Sequence, residues 1–306
     1  MNNLWISNIL GQLTRVIVTV PHCYTVDPKL AAKSRGGFVD ETKFYRHFFK
    51  FVGPRLIPFL KTLGLYFVIF IPDDRPSLLA MMLKCLPIVS LALFIVLHGI
   101  GLSEEHTFSR RILIGLIFSC LGDAFLIWPS YFLHGMAAFA VAQSFYIRAF
   151  GFQPMKWKLG LTVYAITSSN LVLILPTLLG DATSMVTGVL IYSFLLTTML
   201  WRAIARVEFS WAEFSWSKLS SCIGAIFFAI SDTVLALNQF YTSIPYHQTI
   251  VMATYYIAQL GIALSVVTTK EQLPTDETEE KALPADDGNE LASNLSLRHR
   301  KTKVQI

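Results

Sequence analysis

The sequence predicts an all-α membrane protein of eight transmembrane helices, arranged as two parallel four-helix repeats. Three observations carry this reading. Apolar residues make up 54% of the 306 and charged residues only 15%, far from the roughly 25% charge of soluble domains. Eight apolar segments each approach the roughly 17 to 25 residues that cross a bilayer as a helix. Lysine and arginine are also distributed unevenly between alternate connections, as they are between the two sides of a membrane.

In order, the segments cover residues 56–71, 78–97, 112–128, 131–149, 159–175, 185–204, 218–237 and 249–267. Pro129 and Ser130 alone separate the third from the fourth, so these form a hairpin, with proline's fixed φ and missing donor suited to the turn. Connections of one parity, with both termini, carry 22 of the 25 lysines and arginines; those of the other parity carry only Arg75, and Lys61 and Lys84 fall within spans. This asymmetry puts both termini in the cytosol.

The chain divides into a cytosolic N-terminal arm over 1–52, a transmembrane catalytic domain over 53–268 and a disordered cytosolic tail over 269–306. Residues 4–20 are apolar but interrupted by Asn8, Gln12 and Arg15, with neither a basic segment before them nor an Ala-x-Ala site after them. They suit an interfacial arm rather than a cleaved signal. The tail is acidic, then basic from Arg298 to Lys303, a solvated and disordered pattern. On the cytosolic side its Asn294-Leu-Ser sequon would stay unmodified. A net charge of +5 does not indicate nucleic acid, because the cations are scattered between apolar runs instead of forming one basic face. Cys23, Cys85, Cys120 and Cys222 show no CxxC spacing, and no HxxxH or HExxH occurs, so neither a disulfide framework nor a metal site is indicated.

Two stretches repeat. Gly115-Leu-Ile-Phe-Ser-Cys-Leu-Gly-Asp123 in the third span parallels Gly224-Ala-Ile-Phe-Phe-Ala-Ile-Ser-Asp232 in the seventh, and Met136 to Gln143 parallels Met252 to Gln259 in the spans that follow. Two matches in the same order imply a duplicated four-helix unit. Parallel duplication sets Asp123 and Asp232 at equal depth, roughly 7 Å from the lumenal helix ends at 1.5 Å per residue. An intramembrane carboxylate is costly, so it faces the bundle interior and marks a functional site unless it only makes a packing contact or a salt bridge to Lys84. Lys84 sits at similar depth, where it holds one aspartate charged, grips a substrate phosphate or snorkels to the interface. Lys61 is expected to snorkel. Gln143 and Tyr146, one turn apart in the fourth span, and Tyr255, Tyr256 and Gln259 in the eighth are candidate cavity-lining residues, with the interfacial tyrosine belt as the alternative for the tyrosines.

With those residues assembled, the chain resembles the lysoplasmalogenase family of YhhN-like multispan membrane proteins, above all its animal members. The carrying stretches are Gly53-Pro-Arg-Leu-Ile-Pro-Phe-Leu-Lys61, Leu83-Lys-Cys-Leu-Pro-Ile88, Gly122-Asp-Ala-Phe-Leu-Ile-Trp128, His134-Gly-Met136, Ser231-Asp232 and Thr254-Tyr-Tyr-Ile-Ala-Gln259. The likeness extends over residues 53–267 and leaves out the arm and the tail. Gln143 is a departure, standing where similar proteins often carry histidine; glutamine hydrogen-bonds but does not shuttle protons. The resemblance implies an endoplasmic-reticulum hydrolase with no known cofactor. Its substrate would be lysoplasmalogen, a membrane lysophospholipid cleaved at the vinyl ether to a fatty aldehyde and glycerophosphoethanolamine or glycerophosphocholine. Acid chemistry by paired aspartates suits that bond. The competing reading from the residues is a lipid transporter or scaffold whose aspartates relay protons or make structural contacts. No oligomer is indicated.

Overall fold

A computed structural model describes residues 52–73, 75–99, 106–180, 182–208 and 215–267. The N-terminal arm before Val52, the tail and the Asn294 sequon lie outside the described residues. Within them are eight α-helices and one 3₁₀ turn, with no strand: α1 Gly53–Ile69, α2 Leu78–Gly99, α3 Thr107–Phe125, the 3₁₀ turn Pro129–Tyr131, α4 Phe132–Phe150, α5 Trp157–Leu178, α6 Thr183–Ala205, α7 Trp216–Phe240 and α8 His247–Leu264. Each apolar segment read from the sequence is therefore a helix. All eight belong to one compact unit.

The largest departure from the expected boundaries is at α3, which begins at Thr107 and ends at Phe125 rather than spanning 112–128. Its last turns tighten: Ile127 N–H donates to the Ala124 carbonyl at 3.4 Å and Trp128 N–H to that of Phe125 at 3.2 Å, the i to i+3 pattern of a 3₁₀ end. Pro129 pushes Trp128 out of the helical region, to φ −107° and ψ 121°. Asp123 consequently lies two residues from the end of its helix, whereas α7 runs eight residues past Asp232 to Phe240. The two aspartates are thus not equidistant from their helix ends, contrary to the expectation.

Four helices, α2, α5, α6 and α7, are long and apolar enough to cross a membrane. The other four have 17 to 19 residues and carry more of the polar load: Arg110, Arg111 and Asp123 on α3, Gln143 and Arg148 on α4, Gln248 and Gln259 on α8, Arg55 and Lys61 on α1. Polarity is inverted relative to a soluble domain. Ser119, Asp123, Gln143, Ser221, Ser231 and Gln259 are buried, while Val68, Leu78, Leu161 and Val172 are between 67% and 84% exposed. Large apolar side chains over the outer surface suit hydrocarbon as solvent, and buried polar groups then find partners only inside the bundle.

Close packing of two hairpins organises the interior. α3 lies along α4 and α7 along α8, while α4 also packs on α6, and α8 on α2 and α3. Glycine permits the approach. A Cβ at Gly115 would fall 2.2 Å from the Tyr146 ring, and one at Gly224 would fall 2.7 Å from the Ala258 carbonyl and 2.8 Å from the Ile262 nitrogen. At the other end of α6, buried Arg202 donates from Nε to the Gly151 carbonyl at 2.6 Å and from Nη1 to that of Pro154 at 3.1 Å. It thereby ties the α4–α5 connection to the bundle.

Candidate functional site

Asp123 is 2% exposed near the C-terminus of α3. Its Oδ2 accepts a hydrogen bond from the Tyr255 hydroxyl on α8 at 2.6 Å, within the short range of bonds to charged acceptors. Tyr255 is held edge-on by Phe139 at 6.0 Å and Phe228 at 5.7 Å between ring centroids. Gly122 leaves room for that stack, since a Cβ there would meet the Phe139 ring at 2.6 Å. One turn back along α3, Ser119 Oγ is 3.3 Å from the Tyr146 hydroxyl. Tyr146 in turn donates to Gln259 Oε1 at 3.0 Å, and Gln259 Nε2 is buried without a partner.

Asp232 is held differently. The Tyr192 hydroxyl, on α6, donates to its Oδ2. Gln143 lies beside Tyr192, yet neither polar atom of its amide makes a hydrogen bond of good geometry. The preceding Ser231 donates to the Val251 carbonyl at 3.0 Å, which fixes α7 against α8. No hydrogen bond joins the two carboxyl groups.

Lys84 sits where α2 is loosened by Pro87, which offers no N–H to the carbonyl four residues earlier. Its own carbonyl accepts from the Tyr256 hydroxyl at 2.9 Å. Tyr256 therefore faces the α2 backbone rather than a carboxylate. The ion pairs among the described residues are Lys218–Glu208 and His247–Asp73, so Lys84 is in salt-bridge contact with neither aspartate. It lines an open cleft together with Tyr66, Asp73, Arg75, Ile127 and Gln248. No group of three histidine, cysteine or carboxylate side chains is gathered among the described residues.

Of the residues singled out from the sequence, Tyr146, Tyr255 and Gln259 surround Asp123, Gln143 adjoins the tyrosine on Asp232, and Tyr256 and Lys84 meet at the α2 backbone. Sequence reasoning missed Tyr192, Ser119 and the cleft residues Tyr66, Arg75 and Gln248. Tyr192 gave a usable signal, since a tyrosine in mid-span has no interface to reach and needs an internal partner. Arg75 gave another, as the one cation in its set of connections.

Fold and site together define a helical membrane protein with one buried and one half-buried carboxyl group, each receiving a tyrosine hydroxyl, and a cationic cleft nearby. The YhhN family matches residues 79–266, and the chain belongs to it. It is 43% identical over 221 residues to the lysoplasmalogenase TMEM86A of Homo sapiens, covering 72% of this chain and 91% of that one. To the lysoplasmalogenases TMEM86B of Sus scrofa and Homo sapiens it is 40% and 37% identical, over 70% and 69% of this chain and 87% and 86% of theirs. No solved structure matches it significantly.

Proposed function

We propose that this protein is a lysoplasmalogenase of the endoplasmic-reticulum membrane, acting through Asp123 and Asp232. The observation that carries the activity is the match to 91% of a human lysoplasmalogenase at 43% identity. The aspartate pair supplies a chemistry suited to it. A carboxylic acid donates its proton to the alkenyl carbon, giving an oxocarbenium ion that the other, ionised aspartate stabilises. Water adds to the cation as that carboxylate takes up its proton, forming a hemiacetal. As the hemiacetal collapses, the second aspartic acid gives that proton to the departing glyceryl oxygen and the first carboxylate takes the hydroxyl proton, which restores both aspartates and releases fatty aldehyde and the glycerophospho alcohol. Tyr255 and Tyr192 orient the two carboxyl groups, and Tyr146 with Gln259 and Gln143 lines the polar interior around them.

All eight helices cross the membrane in this reading, with both termini cytosolic, in two parallel repeats of α1–α4 and α5–α8. Gly115 against Tyr146 and Gly224 against Ile262 are matching contacts in the two halves. Phe139 and Tyr255 occupy matching positions and touch each other, as equivalent residues do near a two-fold axis. The same comparison shows where the halves part: Tyr255 reaches Asp123, whereas Phe139 offers no hydroxyl, and Asp232 takes its donor from α6 instead. Purified protein should release aldehyde from lysoplasmalogen and leave an ester-linked lysolipid intact. Absence of aldehyde from the vinyl-ether lipid would refute the activity.

A further inference from the structure

Arg75 and Lys84 stand apart from the other cations of the chain. Arg75 is the only lysine or arginine in its set of connections, and Lys84 lies within a predicted span rather than at its cytosolic edge. The fold brings both to one open cleft, between the end of α1, the connection to α2, the first turns of α2, Ile127 and the start of α8. The acidic group on its wall, Asp73, faces His247 Nε2 at 3.6 Å. Its backbone N–H donates to Gln248 Oε1 at 3.2 Å, while Gln248 Nε2 donates to the Ile71 carbonyl at 2.9 Å. The connection is thus pinned to α8, and among the described residues neither cation has a carboxylate within ion-pair distance. Tyr66, 5% exposed on the same wall, has Gln248 beside it but makes no hydrogen bond of good geometry through its hydroxyl. The N-terminus of α2, the positive end of its dipole, opens at this wall as well.

We propose that the cleft binds the phosphodiester of the lysophospholipid, with Arg75 and Lys84 as its cationic contacts and the Tyr66 hydroxyl as a neutral donor. This rests on the lysoplasmalogenase reading above. Spacing supports it. Ile127, on the cleft wall, is four residues past Asp123, the last two in the 3₁₀ end of α3, which is roughly 6 to 7 Å along the chain. The vinyl-ether oxygen of the substrate is five bonds from phosphorus, also roughly 6 Å when extended. A phosphate in the cleft therefore sets the alkenyl ether beside Asp123. Arginine suits the outer position because its guanidinium grips phosphate oxygens in pairs.

The test compares the wild-type full-length protein with Arg75→Gln, Tyr66→Phe and the distant control Lys61→Met. For 1-alkenyl-glycerophosphocholine, Arg75→Gln should raise KM about tenfold, the value of one charge-assisted hydrogen bond, with kcat unchanged. Tyr66→Phe should raise it less, and Lys61→Met not at all. With 1-alkenylglycerol, which lacks phosphate, all four proteins should show one KM. Binding is read separately by thermal stabilisation with the uncleavable 1-alkyl-glycerophosphocholine. Stabilisation weakened in Arg75→Gln supports the cleft even if no protein cleaves the vinyl ether, an outcome that would overturn the activity alone. Equal KM and equal stabilisation in wild type and Arg75→Gln would overturn the cleft assignment. So would Arg75-dependent stabilisation by inorganic phosphate as strong as that by the lipid, which would make the site one for free phosphate.

Discussion

Asp123 and its tyrosine show what a carboxyl group needs inside an apolar bundle. The Tyr255 hydroxyl compensates the buried oxygen, and such bonds to charged groups are worth about 1.5 to 3 kcal/mol. Tyr255→Phe should therefore lower kcat by about tenfold to a hundredfold while the protein remains folded in a thermal melt. Tyr256→Phe removes a bond to the α2 backbone, so it should lower the melting temperature more than the rate. Lys84→Met should depress turnover strongly in the same assay, where Lys61→Met should not. Both aspartates were legible in the sequence because a charge in an apolar run is expensive and therefore conspicuous. The role of Tyr192 was not: its mid-span position called for an internal partner, but a packing hydrogen bond and service to a carboxylate look the same in the sequence. Only the approach of α6 to α7 distinguishes these roles.

The helices themselves were legible because their apolar runs are long and their connections carry the charge. Their ends were less so. Pro129 announced a turn, but the tightening of α3 from Leu126 onward depends on how Trp128 answers to that proline. Interhelical contact depends on glycines whose sequence signal is weak. A methyl group at Gly224 would meet the α8 backbone, which cannot swing aside, whereas one at Gly115 would meet the Tyr146 side chain. Gly224→Ala should thus destabilise the protein by about 1 to 3 kcal/mol, the usual cost of overpacking, seen as a lower melting temperature in detergent. Gly115→Ala should cost less stability and more activity, because Tyr146 and its bond to Gln259 must shift. A further element-level expectation concerns Arg202, whose two bonds hold the Gly151 and Pro154 carbonyls. Arg202→Met leaves those acceptors unpaired, at about 1 to 3 kcal/mol each, and should loosen the α4–α5 connection to proteolysis.

At the scale of the whole molecule, the inverted polarity and the loop charges describe a helical bundle in lipid, and in the proposed arrangement two repeated halves meet around its polar interior. Tags at both ends should be accessible from outside sealed microsomes and the connection bearing Arg75 should be protected; digestion of the tail only after detergent treatment would reverse the orientation. In the proposed reaction Asp123 and Asp232 act as one unit on the vinyl ether. Because one must give a proton while the other carries charge, the rate should rise and fall with pH as a coupled pair. The most direct measurement is aldehyde release from lysoplasmalogen by wild type, Asp123→Asn, Asp232→Asn and the double variant, each checked for folding. Asparagine keeps size and hydrogen bonding but neither donates a carboxyl proton nor carries charge. Each single variant should lose about 10²- to 10⁴-fold in rate, and the double variant should be little worse than either, since residues acting together do not add. Near wild-type release by either single variant would contradict the paired mechanism and leave that aspartate a packing role.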